Sequence, residues 1–428
     1  MRASDPIALL LDGRYADPET GQLLRAEARS VVIADSLAGD EADLVGALNV
    51  GRRLALIADA TTYRVLGERV ERALVGRFTV QRLVIREAPH ADAETVASIA
   101  RELAPGTDAV VAVGSGTLND LSKMVALERG CPQLVFATAP SMNGYTSLSA
   151  SITSDGVKRS VRAATPIAAF FDLGVLAAAP PRMIRAGLGD SVCRPTAQAD
   201  WLLSHLLLGR PYREAPFALL ASDEPELLER AAALVAGDLV AMRHLVRTLV
   251  LSGFGMTLCG GSFPASQGEH LVSHYAEMMR PHGVPEPFHG EQIGVCSIAM
   301  ASLQDRVLAS DVAPVVRPTA VTREDVIAHF GPIAGEACWQ ELAQKRLDAA
   351  AAEELNARLA REWGTIRARL AAVTLGAAPL TRVLRAAGAA ALPGELGWSE
   401  AFFAAALQHA REIRNRYTFL DLVADAGW

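Results

Sequence analysis

Cysteine is scarce in this sequence and falls into no pattern. The five cysteines, Cys131, Cys193, Cys259, Cys296 and Cys338, are an odd count, widely spaced, with no C-x-x-C pair. That excludes a disulfide framework and a thiolate zinc site, and leaves reduced, buried thiols of the cytoplasmic kind. An excess of basic residues is also absent. The net charge is −7 and no segment is strongly basic, so nucleic acid is not an expected partner. No apolar run approaches the roughly 18 residues of a membrane-crossing helix, so no span is expected. The apolar stretch in "MRASDPIALLLDGRY" is too short for a secretory signal. The expected compartment is the cytoplasm.

What is present is a globular composition. Of the 428 residues, 50% are hydrophobic and 21% charged, enough for two domains of ordinary size. Up to about residue 175, short apolar runs recur: "SVVIAD", "RLALIAD", "FTVQRLVI", "AVVAV", "QLVFAT" and "AAFFDL". Helix-like stretches such as "TYRVLGERVERALV" and "ADAETVASIARELA" separate several of them. Strands alternating with helices imply a parallel sheet covered on both faces, with ligands beyond the carboxyl ends of its strands. After "AAAPPRMIRAGLGD" the strand-like runs stop, and apolar residues recur at three and four, the helical period. The expectation is an α/β domain over 1–179 and a helical domain over 180–428, with Pro180 and Pro181 at the boundary.

Chemistry-bearing residues gather in few places. "GSGTLNDLSKM" leaves the apolar run "AVVAV" and enters a helix, a place where backbone N–H groups can hold phosphate. The turn lacks the full G-x-G-x-x-G pattern and does not by itself separate a phosphate loop from a plain turn. His270 and His274 stand i, i+4 and share one helix face, so they can serve one metal, or a metal and a substrate. His289 follows a proline-rich approach and reads as a loop histidine. Asp190 follows Gly-x-Gly near the boundary and reads as a helix cap or a hard oxygen ligand. One carboxylate and two imidazoles can hold a divalent cation with a position left for substrate.

These segments together resemble a known family. "GSGTLNDLSK", "ATAPSMNGYTSLSAS", "AAPPRMIRAGLGD", "QADW", "ASQGEHLVSHYAEM" and "HGEQIGV" are similar to the glycerol-1-phosphate dehydrogenases, nearest their bacterial branch. That family lies in the superfamily of iron-containing alcohol dehydrogenases, glycerol dehydrogenase and dehydroquinate synthase. The resemblance implies a Rossmann-like α/β domain followed by an all-α domain, the dehydroquinate synthase-like fold. It implies NAD or NADP as cofactor, with one divalent ion (zinc, nickel or iron). Gly114, Ser115, Gly116, Thr117 and Leu118 would cradle the pyrophosphate. Thr138, Ala139, Pro140 and Ser141 would line the nicotinamide side with Ser147 nearby, and Asp59 would meet the adenosine ribose. Asp190, His270 and His289 would hold the metal. His274 would touch substrate and relay a proton, as its ordinary pKa suits. Catalysis would then rest on Asp190 and His274.

The implied reaction interconverts dihydroxyacetone phosphate and sn-glycerol 1-phosphate by hydride transfer at C2. One departure bears on the substrate: Asn143 stands where the family usually carries Asp against the substrate's polar end. Asn keeps one acceptor oxygen, loses the charge and gains a donor. Lys158 is a candidate for the substrate phosphate, and Lys123 reads as a solvated helix residue. Asp200 and Trp201 read as packing. Three alternatives stay open: a dehydroquinate synthase-like lyase acting on a sugar phosphate, a polyol dehydrogenase with altered substrate, and a non-catalytic dinucleotide-binding protein. The lyases use Glu as the first metal ligand, where this chain offers Asp190. A homodimer is the expected assembly.

Overall fold

The computed structural model describes residues 5–85, 89–154, 157–284 and 286–428. All six apolar runs form strands, and all six pair in parallel in one sheet. Across the sheet they run Ser30–Ala34, Ala168–Asp172, Gln133–Ala137, Ala109–Gly114, Arg53–Asp59 and Thr79–Ile85. Continuous apolar sequence is what a strand covered on both faces requires. Leu54, Leu56 and Ala58 enter one buried cluster, and Ala55 and Ile57 enter another. Alternate residues of one strand therefore feed cores on opposite faces of the sheet.

The strand order sets a switch point. From Arg53–Asp59 the chain moves outward to the edge strand Thr79–Ile85, then returns to Ala109–Gly114 on the other side of Arg53–Asp59. Successive connections thus diverge between strands 53–59 and 109–114, which opens a crevice at their carboxyl ends. Asp59 and the 114–118 turn both lie there. The stretch after Asp59 is less regular than its periodicity suggests. A π-helical segment, Tyr63–Gly67, separates Ala60–Thr62 from the helix Glu68–Leu74, and such segments often mark functional regions.

Every element described after Asp172 is helical. The chain divides into two compact units whose segments alternate along the sequence: Met1–Ser191 with Glu214–Ser262, and Val192–Arg213 with Phe263–Trp428. The expected boundary at Pro180 falls inside the first unit. The helix Pro181–Ser191 and the helices from Ala215–Ala218 to Leu239–Leu258 belong with the sheet. Leu239–Leu258 is long and apolar enough to cross a membrane by length and composition, yet 67% of its apolar window is buried. It also carries Arg243 and Arg247, which pair with Asp35, Asp5 and Asp223 of the same unit. The second unit has its own core, with Leu271, Tyr275, Val295, Met300, Leu359 and Trp363 among its buried members.

Candidate metal and dinucleotide centre

The glycine turn of the first unit is built for close approach. Ser115 precedes the helix Gly116–Arg129 with extended backbone, so the helix N-terminus opens directly at the end of strand Ala109–Gly114. A Cβ on Gly114 would overlap the side chain of Leu118, so glycine lets the first helical turn pack on its own strand. Thr138 N–H donates to Gly114 O at 3.1 Å, which ties the 138–141 loop to the turn. The helix Pro181–Ser191 reaches the same loop, because a Cβ on Gly187 would overlap the carbonyl oxygen of Pro140. Asp59 caps the helix that follows its strand, and its Oδ1 accepts from Thr61 N–H and Thr62 N–H at 2.8 and 2.7 Å. A ribose hydroxyl at Asp59 would therefore address Oδ2.

In the first unit, Asp190 and Lys123 differ from their sequence-based expectation. Asp190 lies near the end of the helix Pro181–Ser191 rather than after a flexible Gly-x-Gly. Both glycines are helical, and Gly187 is needed for contact with Pro140. Asp190 is 2% exposed, and its Oδ2 accepts from Asn143 N–H at 2.9 Å. Lys123 is not solvated but wholly buried. Its Nζ donates to the carbonyls of Gly144, Ser147 and Ser149 at 2.6, 2.9 and 2.8 Å, and to Ser147 Oγ at 3.1 Å. Burial pushes its pKa down to about 8, against the pull of Asp120. One turn earlier, Asp120 Oδ2 accepts from Ser151 N–H at 2.9 Å. The helix behind the glycine turn thus clamps the 144–151 segment, and Ser147 is part of that clamp.

Asn143 heads the clamped segment, and its Nδ2 donates to Ser252 Oγ at 3.3 Å. A carboxylate in its place would instead accept from that hydroxyl. Lys158 lies in the strand Val157–Arg162, and its side chain falls outside the described residues.

The second unit brings three histidines together. His270 and His274 stand on the helix Gly268–Met279, and His289 opens the helix His289–Leu308, so it is helical rather than a loop residue. Their ring centroids are 5.9 Å apart for His270–His274, 5.2 Å for His270–His289 and 6.1 Å for His274–His289. Asp200 fixes the start of the first helix: its two oxygens accept from Gly268 N–H and Phe419 N–H, each at 2.9 Å. Ser273 Oγ donates to Gln292 Oε1 at 3.1 Å, which joins the two histidine-bearing helices.

The electrostatics there suit a cation. Burial pushes His274 well below the usual imidazole pKa; Glu277 opposes this, while His270, His289 and Arg414 add to it. His274 is therefore neutral, with a lone pair available. The Nδ1 of His289 is buried without a hydrogen-bond partner among the described residues, 3.9 Å from a Glu277 oxygen. Imidazoles gathered this closely, with acidic groups beside them, are the donor set of a divalent transition metal. The sequence reading missed Glu269, Glu277 and Ser252. Only Glu269 carried a signal, as the residue before His270 in "GEH".

The comparisons with known proteins bear on the family and the fold. Residues 32–180 match the family described as iron-containing alcohol dehydrogenase. A curated glycerol-1-phosphate dehydrogenase [NAD(P)+] of Pyrococcus furiosus is 32% identical over 276 residues, which cover 64% of this chain and 78% of the relative. The chain belongs to the glycerol-1-phosphate dehydrogenase family. A relative of the same description from Halalkalibacterium halodurans is 35% identical over 257 residues, 58% of this chain. That match spans 64% of the relative's length. Among solved structures, a probable glycerol dehydrogenase from Sinorhizobium meliloti superposes with TM-score 0.61 at 18% identity, covering 93% of this chain and 95% of that one. Maleylacetate reductase from Agrobacterium tumefaciens gives TM-score 0.57 at 18% identity, over 94% and 97% of the two chains. At such identities these structures establish the shared fold: a parallel sheet with helices followed by a helical part.

Proposed function

We propose that the protein is a metal-dependent, NAD(P)-linked dehydrogenase that interconverts dihydroxyacetone phosphate and sn-glycerol 1-phosphate. The observation that carries this is the meeting of the rings of His270, His274 and His289, in a chain that also ends a switch-point strand in a glycine turn. Asp190, His270 and His289 would hold the divalent ion. Gly114, Ser115, Gly116, Thr117 and Leu118 would hold the pyrophosphate at the helix N-terminus, and Asp59 the adenosine ribose. Thr138, Ala139, Pro140 and Ser141 would flank the nicotinamide, with Ser147 holding its segment through Lys123. When bound, the nicotinamide supplies or takes hydride and the metal ion polarises the substrate oxygen.

The chain's own residues then have definite tasks. His274, neutral in the folded protein, accepts or donates the proton of the substrate hydroxyl. Asn143 contacts the substrate's polar end with its amide oxygen while Ser252 holds its NH2 group. Lys158 is the candidate for the phosphate. A binding-only protein would have no use for a neutral, desolvated histidine beside two possible ligands, which favours the enzyme.

The test is an assay of the purified chain loaded in turn with zinc, nickel and iron. Dihydroxyacetone phosphate is supplied with NADH or NADPH, and absorbance of the reduced nicotinamide is followed. Metal-dependent oxidation with sn-glycerol 1-phosphate as product supports the proposal. Phosphate release without net nicotinamide oxidation would identify a lyase instead.

A further inference from the structure

Glu269 is wholly buried, and general physics makes that costly unless its charge has a task. Its Oε1 sits 2.8 Å from Gln267 N–H and 2.9 Å from His270 Nδ1. Its Oε2 is buried with no hydrogen-bond partner among the described residues. The contact with Gln267, the residue that opens the helix, accounts for part of this carboxylate but not for its contact with His270 or for its buried Oε2. Asp200 already accepts from Gly268 N–H at the same helix start. Hydrogen-bond chemistry then fixes the neighbouring ring. A carboxylate accepts only, so His270 Nδ1 carries the hydrogen and donates, and the lone pair is confined to Nε2.

We propose that Glu269 is the positioning residue that sets the tautomer and orientation of His270, so that Nε2 presents its lone pair to the divalent ion. The inference rests on the assignment of His270 to the metal. The reason is general: a metal-bound imidazole that donates its second N–H to a carboxylate is held in one orientation and is a better donor. Arg416 supplies compensating charge. Its guanidinium lies over the ring of Phe263, at 5.0 Å, and donates to Ser266 O. Burial and then Arg414 lower its pKa to about 10, while Glu269 pulls it upward. Cys193 completes the surroundings, with its sulfur, a Glu269 oxygen and a His270 nitrogen all within 4.8 Å of one another.

The test uses the full-length chain and two readouts. The ¹⁵N chemical shifts of the His270 ring in metal-free protein report which nitrogen carries hydrogen. Zinc affinity is measured by competition with a chromophoric chelator. Wild type should show Nδ1–H. Glu269→Gln should release the ring to a tautomer mixture and weaken zinc binding about 10- to 100-fold, the usual range for losing such a partner. Asp200→Ala is the control for a purely structural effect, since it removes a cap from the same helix without touching His270. It should leave the tautomer in place. Unchanged tautomer and affinity in Glu269→Gln overturn the proposal, as does an affinity loss with an unchanged tautomer. If Glu269→Gln fails to fold, the wild-type spectrum decides, and Nε2–H there overturns it. If wild type binds no zinc, the metal assignment falls, and the tautomer comparison still judges Glu269 by itself.

Discussion

Gly187 rests against the carbonyl oxygen of Pro140, so closely that no Cβ fits between them. The helix that carries Asp190 is thereby pressed onto the loop that follows strand Gln133–Ala137. Gly187→Ala should cost about 3 kcal/mol, the upper end for overpacking, because the obstacle is backbone rather than a flexible side chain. Urea unfolding measures the cost. Weaker NADH binding in the folded variant, followed by nicotinamide fluorescence, is the second expected effect. A neutral substitution would mean that the helix does not hold the loop.

Lys123 should titrate near pH 8. Its pKa falls from 10.5 when free to about 8 in the folded chain, so the folded state binds its proton less tightly than the unfolded state. Between those values unfolding takes up a proton, and stability rises with pH across that window. Below it the burial penalty of the charged group is present in full. Titration of the Lys123 ¹³Cε resonance measures this directly. A midpoint at or above 10.5 would show that the three carbonyl acceptors hold the ammonium charged despite burial.

Lys123→Met should be destabilising by on the order of 3 kcal/mol or more, because it strands the buried carbonyls it serves. The comparison is with Leu127→Met on the same helix, whose side chain is exposed at 47% and whose loss should be near neutral. Equal stability of the two variants in urea would contradict the clamp.

Asn143→Asp should discriminate between substrates by charge. Its backbone N–H already reaches Asp190 Oδ2, and Ser252 can turn its hydroxyl to donate to the new carboxylate. The added negative charge should raise KM for dihydroxyacetone phosphate about fivefold, the effect of roughly 1 kcal/mol between screened charges. KM for uncharged dihydroxyacetone should move less. Equal shifts for both substrates would place Asn143 away from the substrate's charged end.

Arg247→Ala should loosen the N-terminus. Arg247 donates to both oxygens of Asp5 at 3.0 Å and to Asp223 Oδ1 at 2.8 Å, which leaves two acids facing one another when it is removed. A loss of about 3 kcal/mol is expected for breaking a largely buried arrangement. Limited proteolysis should then cut near the helix Pro6–Leu11 before any other site. First cleavage elsewhere would contradict the role of this clamp.

Much of the first unit was legible because its signals are local. A strand buried on both faces must be apolar throughout, so "AVVAV" or "QLVFA" shows itself without context. The histidine pair was legible by the same logic, since i, i+4 is a property of one helix. Non-local facts stayed hidden. Gly187 reads as a flexible hinge until Pro140 is seen against it. Lys123 reads as solvated until the carbonyls of 144–149 close over it. His289 reads as a loop residue because the prolines before it mask the helix it starts. The return of 214–262 to the sheet unit has no signature in periodicity, because helices of either unit share the same period.

The most direct measurement is nicotinamide oxidation driven by dihydroxyacetone phosphate, in wild type and in His270→Ala, before and after chelation and reloading with metal. The account predicts oxidation by wild type that chelation abolishes and reloading restores, with none in His270→Ala under any loading. Activity in wild type that survives complete metal removal, or in His270→Ala at the wild-type level, would contradict it.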